Sequence, residues 1–266
     1  MQQPSSPRNP SSRGSADLHV HTMGSDGLGT PAQVLAQVER HTGLSVVAVT
    51  DHDDLAPALR TRELHARRGY RFGFVAGMEV TTLEGHLLAL FIEERVPSFR
   101  SLARTLDAIH HQGGLAVIPH PMSPLTRSIG RHGIERVLRR RADGLWFDGI
   151  ELANPSPAGA WSAAKAAALN ATQFHLAAVG GSDAHYLPAV GAGFTRFDGT
   201  TADELKAAIL AGTTEAVSGR HPSLREIGVG NVARQSARAL WATPSKVLGR
   251  PAQRLMRACR PAGGGP

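Results

Sequence analysis

Short apolar runs alternate with amphipathic stretches along this chain from residue 16 to about 219. Leu44 to Val49 is rich in β-branched residues and too short for a helix, so it reads as a strand buried on both faces. The His19-Val20-His21 segment, Phe72 to Val80, Leu87 to Ile92, Leu115 to Ile118, Phe147 to Leu152 and Leu176 to Val179 read as strands too, and a short run, Glu215 to Ser218, closes the series. Between the runs, apolar residues recur at helical spacing. Val34, Leu35 and Val38 follow a Thr30-Pro31 start, with Thr as cap and Pro at the first helical position. Further helices are predicted over 56–68, over 98–112 around Leu102, Leu106 and Ile109, around Ile134, Val137 and Leu138, over 158–171 and over 201–212. Leu83-Glu84-Gly85 marks a hairpin-like turn before His86. This order predicts an α/β domain with a mostly parallel sheet of about seven strands, as many as a closed barrel needs.

The polar residues at the ends of these runs change the picture. His19 and His21 stand two apart, so they project from one face of an extended segment. Asp26 follows in a Gly-bracketed loop, then His52, Glu79, His86, His120, Asp183 and His185, nearly all at carboxyl ends of strands. A lone His-x-His is most often a half-buried strand with satisfied imidazoles; the repetition at strand end after strand end argues for a shared site. His86 precedes its run, so it reaches that rim only if its strand is antiparallel to its neighbour or the turn carries it there. Six imidazoles and three carboxylates exceed the four ligands of one tetrahedral site and suit two or three metals. Adjacent divalent cations can bind a phosphate, acidify a shared water and stabilise both oxygens of an in-line displacement, which points to phosphoester hydrolysis. Cys259 is the sole cysteine, which excludes a thiolate site and an intrachain disulfide.

Composition adds bounds. The 266 residues are 41% hydrophobic and 19% charged, as in an ordinary globular protein with one large domain or two small ones. Formal net charge is +7, but residues 16–219 hold 18 basic against 21 acidic side chains. The excess lies in residues 1–15, with two arginines and no acid, and in 220–266, with nine basic residues and one acidic. High pI therefore does not argue for nucleic acid. We read 1–15 as a disordered arm, 16–219 as the catalytic domain and 220–266 as a basic extension, partly helical or disordered. Arg250, Arg254 and Arg257 recur there near Leu248, Leu255 and Met256, a pattern suited to weak contact with RNA phosphates or an anionic membrane, or else to a poorly ordered tail. No stretch has the apolar length of a membrane span, and 1–15 lacks the apolar middle of a secretory signal, so a cytoplasmic protein is expected.

The motifs Asp17-Leu18-His19-Val20-His21-Thr22 with Ser25-Asp26-Gly27, Thr50-Asp51-His52-Asp53, Gly77-Met78-Glu79, His120-Pro121 and Gly181-Ser182-Asp183-Ala184-His185 resemble, in order, those of the PHP (polymerase and histidinol phosphatase) family. The resemblance covers residues 16 to about 218. It implies a distorted (β/α)7 barrel and a trinuclear centre of manganese, zinc or iron. By that likeness His19, His21, Glu79 and Asp183 hold one ion, Asp26, His52 and His185 a second, and Glu79, His86 and His120 a third, with Glu79 as the bridge. A metal-bridging hydroxide would attack phosphorus, with no side-chain nucleophile. The bacterial branch it most resembles includes nucleoside 3′,5′-bisphosphate phosphatases and short-RNA exonucleases. Those carry a large helical insertion between the segments matching Glu79 and His120, where this chain has 40 residues. A nucleotide or short nucleic acid is thus the expected substrate, with histidinol phosphate and phosphotyrosine peptides as alternatives.

Other residues carry two readings each. Asp51 and Asp53 either orient ligating imidazoles or cap the helix before Leu55. Asn154 either faces the site or makes a turn before Pro155. Arg127 and Arg131 either clamp a phosphate or are solvated surface. His110 and His111 read as a helix C-terminal turn, and His41, His65, His132, His175 and His221 as ordinary. A non-catalytic, metal-stabilised binding module is the alternative from another class, though such modules are expected to have lost ligands and none is missing here. Cyclic-amide hydrolysis by a related barrel calls for a carboxylated strand lysine, and Lys165, Lys206 and Lys246 lie in helical or tail segments.

Overall fold

The computed structural model describes residues 13–240. Nine strands form one mixed sheet: β1 (Arg13–Asp17), β2 (Val46–Val49), β3 (Gly73–Thr81), β4 (His86–Leu90), β5 (Leu115–Ile118), β6 (Gly149–Ala153), β7 (Ala177–Gly180), β8 (Gly193–Asp198) and β9 (Glu215–Ser218), in the order β7-β6-β5-β4-β3-β2-β1-β8-β9. The principal helices are α1 (Pro31–His41), α2 (Ala56–Arg68), α3 (Leu102–His110), α4 (Arg131–Leu138), α5 (Pro157–Leu169), α6 (Ala202–Ala211) and the short α7 (Leu224–Ile227). A further helix, α8, occupies 229–240. Thr30 caps α1 in a reciprocal box with Gln33, as its Thr-Pro start predicts.

The sheet curls into a nearly closed barrel. Thr195 Oγ1 on β8 donates to Gly180 O on β7 at 2.9 Å and accepts from Gly180 N at 2.8 Å. Beyond the strands, Val20 and Ala184 form a parallel bridge, with His21 N donating to Ala184 O at 2.9 Å. The ends of β1 and β7, distant in sequence, are thereby joined at one rim.

Strands β1, β2 and β3 run parallel, as do β5, β6 and β7, but β4 is antiparallel to both its neighbours and β8 and β9 are antiparallel additions. Among the described residues the barrel therefore has nine strands rather than a strict (β/α)7 repeat. The strand missing from the sequence reading is β8, a six-residue Gly-Phe-Thr-Arg-Phe-Asp segment bracketed by Gly191 and Gly199. Its apolar content is too low to stand out as a run.

Both faces of the sheet are covered, which is why its strands read as continuous apolar runs. In β4, Leu87 and Ala89 belong to a core with Leu102, Leu106 and Ile109 of α3, whereas Leu88 and Leu90 join Ala16, Val46, Val117 and Val179. Each fully buried leucine contributes about 1.5–3 kcal/mol relative to exposure.

Arg13, Gly14 and Ser15, within the stretch read as an arm, pair in β1 with Asp198, Phe197 and Arg196 of β8. The basic tail pattern around Arg250, Arg254 and Arg257 lies outside the described residues. Among those described, no helix is long and apolar enough to cross a membrane.

Candidate metal centre

The sequence-predicted ligands gather at one rim from the ends of several strands and the loops that follow them. His19 and His21 follow β1, His52 follows β2, Glu79 sits late in β3, His120 follows β5, and Asp183 and His185 follow β7. His86 begins β4, whose antiparallel register sets it opposite Thr81 at the end of β3, so it reaches the same rim. His120 and Asp183 hold positive φ (28° and 52°), a strained backbone for non-glycine residues and one typical of functional sites.

Glu79 is the hub. Its Oε2 lies 3.3 Å from His19 Nε2, 3.3 Å from His21 Nε2 and 3.2 Å from His52 Nδ1; its Oε1 lies 2.9 Å from His86 Nδ1 and 3.0 Å from His120 Nε2. Asp183 Oδ1 completes the first group at 3.5 Å from His19 Nε2 and 3.4 Å from His21 Nε2, and the two Nε2 atoms face each other at 3.1 Å. Donors held at about 2.0–2.1 Å by one tetrahedral ion stand roughly 3.3–3.4 Å apart. The observed spacings of 3.1–3.5 Å match that requirement. Asp26 Oδ2 meets His185 Nε2 at 3.1 Å, and its buried Oδ1, with no hydrogen-bond donor, faces His21 Nδ1 and His52 Nε2 at 3.8 Å each. His52 and His86 form a further group with Glu79. The donor set is imidazole and carboxylate throughout, so it fits borderline divalent cations.

Electrostatics agree with a site built for cations. Burial disfavours charge on Glu79, Asp183 and Asp26, yet the surrounding histidines hold all three carboxyls below the usual carboxylate range. Burial likewise opposes protonation of His21, but hydrogen bonds to Asp183 and Glu79 push it up to about 10. His52 goes the other way, pushed by burial to about 4.

A ring of buried acceptors fixes the ligands. Glu151 Oε1 meets His19 Nδ1 at 3.1 Å, while its Oε2 accepts from His120 N and Asn154 Nδ2, each at 2.7 Å. Asp17 accepts from Ser182 N at 2.9 Å, from Ser182 Oγ at 2.6 Å and from Gly191 N at 2.8 Å, pinning the Asp183 loop. Asp51 accepts from Thr22 N, Thr22 Oγ1 and Ser25 Oγ, and Asp53 from Thr81 N and Thr81 Oγ1. Both brace the ligand-bearing loops; α2 has no side-chain cap. Ser156 Oγ donates to Asp183 Oδ2 at 3.0 Å, and Ser128 Oγ lies 2.9 Å from His120 Nδ1.

The remaining candidates separate. A cavity of about 810 Å³ opens over the rim, and Arg127 lines it. Arg131 instead bonds Glu135 and Gln173 at the exposed surface, and Asn154 is buried against Glu151 and Ser156 N. His221 also lines the cavity, and His110 pairs with Asp148 Oδ2 at 2.9 Å while stacking on Trp146. Sequence reasoning did not single out Glu151, Ser128 or Ser156, nor Gln235, whose Nε2 donates to Asp26 Oδ2 at 3.3 Å. Glu151 is an acid inside an apolar run, and its Oε1 finds its partner 132 positions away. A buried charge in a strand core is the one signal that marks it.

Residues 161–214 match the family model described as PHP-associated. The uncharacterized protein MJ1587 of Methanocaldococcus jannaschii is 34% identical over 150 residues, 52% of this chain and 81% of that protein. The 5′-3′ exoribonuclease Rnm of Salmonella typhimurium is 31% identical over 144 residues, 52% of this chain but only 43% of the exoribonuclease. Among solved structures, a two-domain protein from Bacteroides vulgatus containing a predicted PHP-like metal-dependent phosphoesterase shares the fold, with a TM-score of 0.60, 17% identity, and coverage of 90% of this chain and 74% of that one.

Proposed function

The chain belongs to the PHP (polymerase and histidinol phosphatase) family, and from that premise we propose that it is a metal-dependent phosphoesterase acting on a nucleotide or short nucleic acid. The observation that carries the reading is Glu79, a single buried carboxylate within 3.3 Å of five imidazoles at the floor of a cavity. His19, His21, Glu79 and Asp183 would hold one ion, Asp26, His52 and His185 a second, and Glu79, His86 and His120 a third. When bound, such ions supply Lewis acidity toward phosphoryl oxygens and a water acidic enough to act near neutral pH.

This chain's own residues do the rest. Arg127 presents a permanent cation to the cavity, suited to orient a phosphate and offset its charge. Ser156 lines the cavity as well, but its hydroxyl is committed to Asp183, so it does not serve as a nucleophile. Glu151 holds the His19 ring and the His120 backbone in one geometry, so the donors meet an ion without rearrangement.

Purified protein, stripped with a chelator and reloaded separately with manganese, zinc or iron, is the test. Turnover of phosphate mono- or diesters that returns only with metal supports the reading. Metal-loaded protein that hydrolyses nothing across nucleotides, short RNA, histidinol phosphate and aryl phosphates would instead favour a binding module.

A further inference from the structure

The stretch 221–240 lies beyond the last strand, in a part of the chain whose composition reads as a basic tail. Its helices nonetheless close over the metal rim. Val232, Gln235 and Arg238 recur every third residue on the inward, half-buried side of α8. Arg238 Nη2 donates to Met23 O and to Ser25 O, both at 2.8 Å, and so grips the loop that delivers Asp26. One turn earlier, Gln235 donates to Asp26 Oδ2, the oxygen that also meets His185.

The same segment supplies one wall of the cavity. Ile227, Val232 and Leu240 line it on this side, facing a volume that Phe99, Leu125 and Arg127 also border. The space of about 810 Å³ between them falls within the range of roughly 300–1,000 Å³ that encloses small ligands. Its chemistry is graded: metal-type donors at the floor, one guanidinium at the side, and apolar surface above.

We propose that α8 is the substrate-selecting roof of this site, clasped to the ligand loop by Arg238 and Gln235. With the roof in place the cavity takes a small phosphorylated molecule, about the size of a single nucleotide, whose body packs against the apolar wall of Ile227, Val232 and Leu240. A chain continuing past the scissile phosphate meets α8 and is excluded. Gln235 is a positioning residue acting through Asp26. The proposal rests on the phosphoesterase reading and narrows it from nucleotide or short nucleic acid to the former.

The experiment compares wild type, Arg238→Ala and Gln235→Ala, all metal-loaded, on adenosine monophosphate, p-nitrophenyl phosphate and an RNA of about ten nucleotides. Wild type is expected to favour the nucleotide over the RNA by about a hundredfold in kcat/KM, and Arg238→Ala to cut that ratio at least about tenfold, chiefly through KM. Amide hydrogen exchange of residues 22–27 should quicken in Arg238→Ala, a readout independent of turnover. The milder Gln235→Ala keeps the test open if Arg238→Ala fails to fold, and should shift the ratio in the same direction. Wild type that cleaves the RNA as efficiently as the nucleotide overturns the roof, as does a ratio unchanged in both variants. Wild type that turns over none of the three fails the phosphoesterase reading instead. Equilibrium binding of nucleotide against RNA then decides the roof, with equal affinities overturning it.

Discussion

Glu151 Oε1 lies 3.1 Å from His19 Nδ1, on the side of the imidazole away from the Nε2 that faces Glu79, His21 and Asp183. A carboxylate behind a ligating histidine fixes its tautomer and orientation and raises its basicity. Glu151→Gln is therefore expected to weaken metal affinity about 10- to 100-fold while leaving the fold intact. Calorimetric metal titration checks this, and an unchanged affinity would show that His19 needs no such support.

Gly181 leaves no room for a side chain. A Cβ there would stand 2.5 Å from Glu151 Oε1 and 2.6 Å from His19 Cβ. Gly181→Ala should displace His19, lower metal occupancy and cost about 1–3 kcal/mol of stability. Chemical denaturation alongside metal analysis measures both.

Arg127 lines the cavity, and among the described residues its guanidinium donates to Thr82 O at 3.3 Å, which leaves further N–H groups to meet an anion. Arg127→Ala should raise KM for a phosphate substrate about tenfold with metal content unchanged. Loss of bound metal in this variant would place Arg127 in the scaffold instead.

Acidity sets the stability of the metal-free protein. His21, raised to about 10 by Asp183 and Glu79 against the opposing effect of burial, adds stability that is complete below about pH 6.5 and lost as pH climbs through about 10. Asp26, Glu79 and Asp183, held low by their histidines against the same effect, add stability above about pH 4 that is lost in acid. Chelated protein should thus melt highest at about pH 5–6.5 and lower toward pH 9. Metal should restore the alkaline side, since it binds deprotonated imidazoles and releases their protons. Melting curves across pH, with and without chelator, give the answer; a chelated Tm still rising at pH 9 would contradict it.

That the candidate residues meet at one rim was legible because parallel strands bring their carboxyl ends to one side of the barrel. His52, Glu79 and His120 each follow or end an apolar run, and the pattern survives without knowing which strands pair. His86 was legible only conditionally, because its position at the rim depends on the antiparallel register of β4, a tertiary fact. Strand β8 was not legible: Gly193–Asp198 holds only two apolar side chains, both phenylalanines, and flanking glycines read as loop. Gln235 and Arg238 were hidden for another reason. Composition marked their segment as a basic tail, and their partners at Asp26, Met23 and Ser25 lie more than 200 positions away. Contacts of that separation leave no local periodicity.

The most direct test of the metal centre is the count of ions held by wild type and by Glu79→Ala, measured by elemental analysis after gel filtration. Wild type is expected to hold about two or three ions per chain and Glu79→Ala at most about one, with hydrolysis of p-nitrophenyl phosphate down at least about a thousandfold. A Glu79→Ala protein that keeps its full complement of ions and its activity would contradict this expectation.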